Sequence, residues 1–523
     1  MTTTAAAASP AASAQSGPSH TGGLTHRQIL VVLSGLMLGM FLAALDQTIV
    51  STSIRVIADQ LHGLDLQAWA TTAYLITSTI STPLYGKLSD QYGRKPFFLF
   101  AIAIFVVGSA ASAFSTSMYM MAAFRAVQGV GAGGIMSLAL TIIADIVPPR
   151  QRAKYQGYFL AVFGTSSVAG PVLGGLLAGQ QHIWFTEGWR WVFLVNVPIG
   201  ILAFFVVMKV LNLSHTPNPH RIDWPGALAL IVGLVPLLII AEQGRTWGWD
   251  SGRAFLCYGV GVLGLIGFYL AERAYKSEAL VPLKLFRSSV FTITCGGGLL
   301  VGVAMFGAIA MLPQYLQIVR DASPTKSGFL MLPFVLGMMV FSILSGQLTS
   351  RTGRYKIFPL IGTALMAVAA VLFWQRLNAD TSLVEVDAYM FMFGAGLGFC
   401  MQTLTLAAQN AVPARDVGVG TSTSTTFRQL GGTLGTAIFI SLLFSTVGGK
   451  IGAAFTSASK TQVFQAAVNN PQLLAQPNNK PIVALLQHGG AGGNASGVLQ
   501  DSAFIQKLSP VFAHPFKVGF SNS

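Results

Sequence analysis

The sequence predicts an all-α polytopic membrane protein, and three observations carry that prediction. Only 9% of the 523 residues are charged while 53% are hydrophobic, against about 25% charged in an ordinary soluble domain, too few to cover a surface facing water. Aromatic residues at 11% and a mean hydropathy of +0.62 leave too much apolar surface for a solvated, disordered chain. The apolar residues fall in long runs, and at about 20 residues per span plus loops the chain holds about a dozen helices or somewhat more, the size of a transporter.

In chain order, residues 1–27 are rich in Ala, Ser, Thr and Gly and read as a flexible cytoplasmic tail. No basic region precedes the first apolar run in the manner of a cleaved signal, so that run stays as a helix. Six runs follow one another at 28–52, 66–86, 97–115, 119–143, 157–178 and 192–211. Two more lie at 225–241 and 255–271, and five at 289–312, 328–348, 358–375, 388–408 and 424–446, thirteen spans in all. Residues 447–523 are polar and rich in Asn, Gln and Gly, which predicts a long extracellular loop or tail with no further apolar run. Asn494-Ala495-Ser496 matches a glycosylation acceptor, a match that chance explains.

Lys and Arg in alternate loops set the orientation, because cytoplasmic loops carry the excess. With the N-terminus inside, the inner segments hold 17 and the outer loops 7, so the N-terminus is predicted to be cytoplasmic in a multi-pass protein of the inner or plasma membrane. The net charge of +14 does not indicate nucleic acid, since the basic residues sit in short clusters between apolar runs instead of a stripe. Cys257, Cys295 and Cys400 lie inside apolar runs without metal-ligand spacing, as small core residues do. No metal site or cofactor is expected.

Between the second and third spans lies Gly86-Lys87-Leu88-Ser89-Asp90-Gln91-Tyr92-Gly93-Arg94-Lys95-Pro96. Glycines allow a tight turn and close helix approach, and Asp90 with the cations can make charge-assisted contacts across helix ends. A basic loop alone explains the charges but not the spacing. Here the chain resembles the major facilitator superfamily, whose loop signature reads G-x-L-x-D-x-x-G-R-K/R. A degraded copy after the tenth span, Gly346-Gln347-Leu348 followed by Arg351, Gly353, Arg354 and Lys356, lacks the acid. Two copies imply a duplicated half.

Further motifs narrow the resemblance. Leu45-Asp46-Gln47-Thr48 in the first span, Arg125 with Gln128, Gly129 and Gly131 in the fourth, and Gly164 with Gly170-Pro171-Val172-Leu173-Gly174-Gly175 in the fifth resemble the first-helix, arginine and antiporter motifs of drug:proton antiporters. Trp189-Arg190-Trp191, with Phe193, Asn196 and Pro198, is similar to the stretch entering helix six of the fourteen-helix, QacA/EmrB-like branch. Arg55 stands where that branch usually has proline. The resemblance implies two six-helix bundles with two extra helices between them. Residues 28–211 would form the first bundle, 212–288 the inserted pair and its linkers, and 289–446 five helices of the second bundle, with the fourteenth missing from the C-terminus.

Physical chemistry singles out Asp46 independently. Of the 17 acids, it is the one placed well inside a span; a carboxylate at that depth costs about 2.5–3.5 kcal/mol, and such groups usually line cavities. All eight histidines lie outside the spans, which leaves no imidazole relay within the membrane. Asp46 and Arg125 each lie six residues from the outer end of their span, about 9 Å at 1.5 Å per residue, so they share a depth. Two readings follow: Asp46 exchanges a proton and a cationic substrate, with Arg125 tuning it directly or through Gln128, or the two form a permanent ion pair holding helices together. The glycines and Pro171 of the fifth span either pack closely or, together, make it pliable where the halves meet. Gln314, Tyr315, Gln402, Gln409 and Arg428 are candidate cavity residues; Arg428, four residues into its span, lines the cavity or snorkels to water.

With no G-x-x-x-x-G-K-[S/T] run, energy must come from an ion gradient. The expected activity is proton-coupled export of amphipathic or cationic drugs by alternating access, with the bilayer, protons and those small molecules as partners. Export of endogenous lipids or other amphiphilic metabolites is the alternative on the same architecture. A passive channel or sensor lacks a visible filter motif, and an enzyme lacks a nucleophile and base pair within the spans.

Overall fold

The computed structural model describes residues 26–63, 66–184, 186–212, 223–276, 278–413, 416–470 and 509–523. Long apolar runs become helices because a bilayer offers the backbone no partner, so every N–H must find its carbonyl within the segment. The first group comprises α1 (His26–Gln60), α2 (Gln67–Tyr92), α3 (Arg94–Ala113), α4 (Met118–Ile146), α5 (Pro149–Ala178), α6 (Trp191–Leu194) and α7 (Asn196–Val210). A hairpin, α8 (Trp224–Trp247) and α9 (Gly252–Tyr275), follows. The second group comprises α10 (Ser289–Ile318), α11 (Pro324–Leu330), α12 (Leu332–Thr352), α13 (Ile357–Arg376), α14 (Leu383–Asn410) and α15 (Val417–Ala458). Two short helices come last, α16 (Gln462–Val468) and α17 (Pro510–Asn522). Among the described residues, a two-stranded hairpin pairing His182 with Glu187 is the only sheet.

Twelve helices among the described residues are long and apolar enough to cross a membrane. The helix of the second span, α2, is not one of them, because Thr72, Ser78, Thr79, Ser81 and Thr82 stud it, all buried. It packs between α4 and α15, so its polar face meets protein instead of lipid. Two predicted spans are each broken once, at Val195 between α6 and α7 and at Met331 between α11 and α12. Pro333 sits in the first turn of α12, where its missing N–H costs nothing.

The largest departure from the sequence reading among the described residues is in 447–470 and 509–523. Residues 447–458 continue α15, and α17 lies along it, with Phe512 and Phe516 in the same apolar cluster as Leu443 and Val447. Two prolines, Lys517 and Gly519 interrupt the apolar pattern of α17 and hid it. Its 13 residues reach about 20 Å at 1.5 Å per residue, short of the hydrocarbon thickness of about 30 Å. The N-terminal tail to residue 25 and the Asn494 sequon lie outside the described residues.

Within the first group α1 packs on α4, α5 and α7 around Leu33, Phe98, Phe105 and Ile135. In the second, α14 packs on α10, α12 and α13 around Phe334, Met390 and Leu397. The α8–α9 hairpin rests on α2 and α15 through Ile76, Ile80, Leu230 and Leu238. Phe100, Leu263, Leu300 and Leu360 point outward, exposed, which suits the lipid tails around a multi-pass membrane protein. The groups meet along two seams, α2 against α15 and α5 against α11 and α12.

Candidate functional site

Asp46 is completely buried, and donors from two helices, α4 and α7, converge on it. Arg125 Nη1 donates to Asp46 Oδ2 at 2.5 Å, Gln128 Nε2 to Oδ1 at 2.9 Å, and Asn196 Nδ2 to Oδ1 at 2.8 Å. Arg125 also donates to Gln128 Oε1 at 2.8 Å and through Nε to the Ala70 carbonyl at 3.3 Å. The ion pair is therefore hydrogen-bonded throughout, the condition under which a buried charge persists. It joins α1, α2, α4 and α7. Sequence reasoning placed Asp46, Arg125 and Gln128 together and missed Asn196, although the residue lies in the quoted aromatic motif.

That motif fixes Asn196 in position. Trp189 is buried, the Arg190 guanidinium lies 4.5 Å from its ring, and Arg190 Nη1 donates to the Ala113 carbonyl at 2.6 Å. Trp191 Nε1 donates to the Ile183 carbonyl at 3.1 Å. The hydrogen bond from Arg190 holds the Glu187 carboxyl below the usual carboxylate range. One turn on, Asn196 Nδ2 also donates to Ser109 Oγ at 3.0 Å, while its Oδ1 is buried without a partner among the described residues.

Asp46 does not itself face a cavity. The Arg125 guanidinium stacks 4.1 Å from the Tyr74 ring centroid, and Tyr74 lines a cavity of ≈ 130 Å³ between the two groups of helices. The neighbouring Gln47 lines it too. The contacts that connect Asp46 to this cavity run through Arg125 and Tyr74. Met136, Phe159, Phe163, Met305, Phe306 and Met401 give the cavity its apolar walls. Of the five candidates, Gln402 and Arg428 line it, and Gln314, Tyr315 and Gln409 do not. The Tyr315 hydroxyl donates to the Asn378 carbonyl at 3.0 Å, and Gln409 Nε2 reaches the Leu140 carbonyl at 3.4 Å. Arg428 does not snorkel: α15 starts at Val417, not at 424, which puts Arg428 about 16 Å along the helix.

One end of the α2–α15 seam is built from the glycine-rich loop. Asp90 pairs with Arg94, and its Oδ2 accepts from the Val419 N–H at 3.0 Å. An acid of the first group therefore caps the N-terminus of α15 in the second, where the helix dipole favours negative charge. Arg94 Nε donates to Asp145 at 2.7 Å. A Cβ at Gly86 would lie 2.0 Å from Ser422 Oγ, so glycine sets how closely α2 and α15 approach. Gly93, at φ 101° and ψ 152°, turns the chain in a conformation side chains rarely adopt. Lys95 takes no part in the seam: it donates to Asn212 at 2.7 Å.

The glycines of α5 divide by neighbour. Gly170 and Gly174 lie against Thr48 and Ile49 of α1, whereas Gly164 meets Val335 of α12 and Pro171 meets Gly328 of α11. Gly175 is half-buried on the same helix. Helix α5 runs through Pro171 without a break.

The sequence matches the Major Facilitator Superfamily over residues 36–436. It is 36% identical to multidrug transporter protein MdtP of Bacillus subtilis over 77% of this chain and 73% of that protein. To multidrug resistance protein 3 of Bacillus subtilis it is 33% identical, over 86% of each chain. An uncharacterized MFS-type transporter of Mycobacterium tuberculosis is 38% identical over 85% of this chain, which spans only 64% of that relative's length. Among solved structures, the proton:xylose symporter XylE has a TM-score of 0.54 at 16% identity, covering 80% of this chain and 88% of that one, a likeness of fold. The chain belongs to the Major Facilitator Superfamily, in the branch that holds these multidrug-transporter relatives.

Proposed function

We propose that this protein exports amphipathic small molecules across the cell membrane in exchange for protons, by alternating access between the two helix groups, with the glycine-rich loop at the cytoplasmic face. Relatives named as multidrug transporters support small-molecule cargo, and others named as efflux pumps support the outward direction. The observation that carries proton coupling is the buried Asp46, hydrogen-bonded to α4 and α7, whose partner Arg125 stacks on Tyr74 in the wall of the central cavity.

The chemistry runs as follows. Ionised Asp46 neutralises Arg125 and draws α1, α4 and α7 together through Gln128 and Asn196. A proton arriving past Tyr74 removes the carboxylate charge, which leaves Arg125 a buried cation without a counterion. That state is costly enough to drive rearrangement. The new O–H needs an acceptor, and the unpartnered Asn196 Oδ1 supplies one when the amide turns over. Release of the proton on the other side restores the network. The Asp90 cap on α15 and the Gly86–Ser422 approach latch the cytoplasmic side in the present conformation.

The test is efflux from proteoliposomes with an imposed pH gradient. Wild type should concentrate a fluorescent amphiphile against its gradient. Asp46→Asn combined with Arg125→Gln, which removes both charges, should keep downhill exchange and lose uphill transport. Uphill transport by the double variant would refute coupling through Asp46.

A further inference from the structure

The charge lining the cavity is of one sign. Arg428 is its only ionisable residue of fixed charge, and no Asp or Glu lines it. Among the described residues the guanidinium's one side-chain hydrogen bond is Nη1 to Thr405 Oγ1 at 3.4 Å, and none of their carboxylates pairs with it. Asp46 offers it nothing, since that charge is spent on Arg125 behind Tyr74. Gln429, next along α15, is engaged by Thr82 and Ser78 of α2. An arginine about 16 Å along a membrane helix without a counterion is expensive to keep, whereas a planar guanidinium binds a carboxylate through two parallel hydrogen bonds.

Resting on the export reading above, we infer that the cargo of this cavity is an organic anion: an amphiphile whose apolar body lies against the Met and Phe walls and whose carboxylate pairs with Arg428. A cationic amphiphile would meet an unopposed like charge in a confined, poorly screened space.

The experiment uses the full chain in proteoliposomes and three probes with one apolar body: pyrenebutyrate, its methylamide and the matching pyrenebutyl trimethylammonium. By fluorescence titration at pH 7, wild type should bind pyrenebutyrate about tenfold more tightly than the ammonium probe, the scale of one charge-assisted hydrogen-bonded pair. Arg428→Gln should erase that preference without changing the affinity for the methylamide, and Arg428→Lys should retain part of it. An ammonium probe bound as tightly as the anion by wild type overturns the inference, as does an anion affinity unmoved by Arg428→Gln. Gradient-driven flux of the ammonium probe alone leaves the export reading standing and removes this one. Anion binding that depends on Arg428 with no driven flux of any probe removes the export reading and leaves the charge preference intact.

Discussion

At the scale of single residues, the Asp46–Arg125 pair dominates because both partners are buried, so removing one strands the other. Asp46→Asn is close in shape but leaves Arg125 uncompensated, a loss of about 3–5 kcal/mol. Thermal unfolding in detergent should therefore show a clear drop in Tm for Asp46→Asn and a smaller drop for Asp46→Asn with Arg125→Gln. Equal Tm values for the single variant and wild type would mean that no buried charge is left behind. Gly93 has a backbone conformation essentially confined to glycine, and Gly93→Ala should cost about 1–3 kcal/mol, read by the same melt. The depth shared by Asp46 and Arg125 was legible from counting because a helix rises by a fixed amount per residue. Asn196 was not, because its place beside Asp46 depends on the clasp of Trp189, Arg190 and Trp191, which Arg190 anchors to the distant Ala113 carbonyl.

At the scale of elements, the α2–α15 seam depends on small side chains and one borrowed cap. Gly86→Ala brings a methyl within 2.5 Å of Ser422 Cβ, an overpacking of about 1–3 kcal/mol. Combined with Ser422→Gly, which removes that carbon, it should regain most of the stability; a double variant no more stable than Gly86→Ala would place the strain elsewhere. Asp90→Ala deprives α15 of its cap, worth about 0.5–2 kcal/mol. Faster amide hydrogen exchange in the first turn of α15, with unchanged exchange in α13, is the expected signature. The loop motif was visible in the sequence, but it does not say that Asp90 reaches Val419, 329 residues on, while Lys95 turns back to Asn212 within the first group. Charge content alone does not separate the two.

At the scale of the whole molecule, alternating access requires the seams to part in turn. Thr82 and Gln429 meet across the α2–α15 seam at 2.9 Å. With Cys257, Cys295 and Cys400 replaced, Thr82→Cys and Gln429→Cys joined by a short cleavable bis-methanethiosulfonate should abolish transport, and reductant should restore it. Undiminished transport by the cross-linked protein would show that this seam stays shut throughout the cycle.

Composition and hydropathy by themselves determined the class, the helical spans and the depth of Asp46 and Arg125, because burial in a bilayer and helical rise act along one axis and leave a linear record. They also marked α2 as a span despite its hydroxyls, and a helix walled in by protein can be as polar as Ser78, Thr79 and Thr82 make it. Only the tertiary structure decided rotation about each helix axis and the choice of neighbours. That is why Gln402 and Arg428 line the cavity while Gln409 and Tyr315 do not, why α17 lies along α15, and why Asp46 meets Arg125 instead of the cavity. Those outcomes depend on how side chains of distant helices interlock, a property of the packed assembly that no single stretch of chain contains.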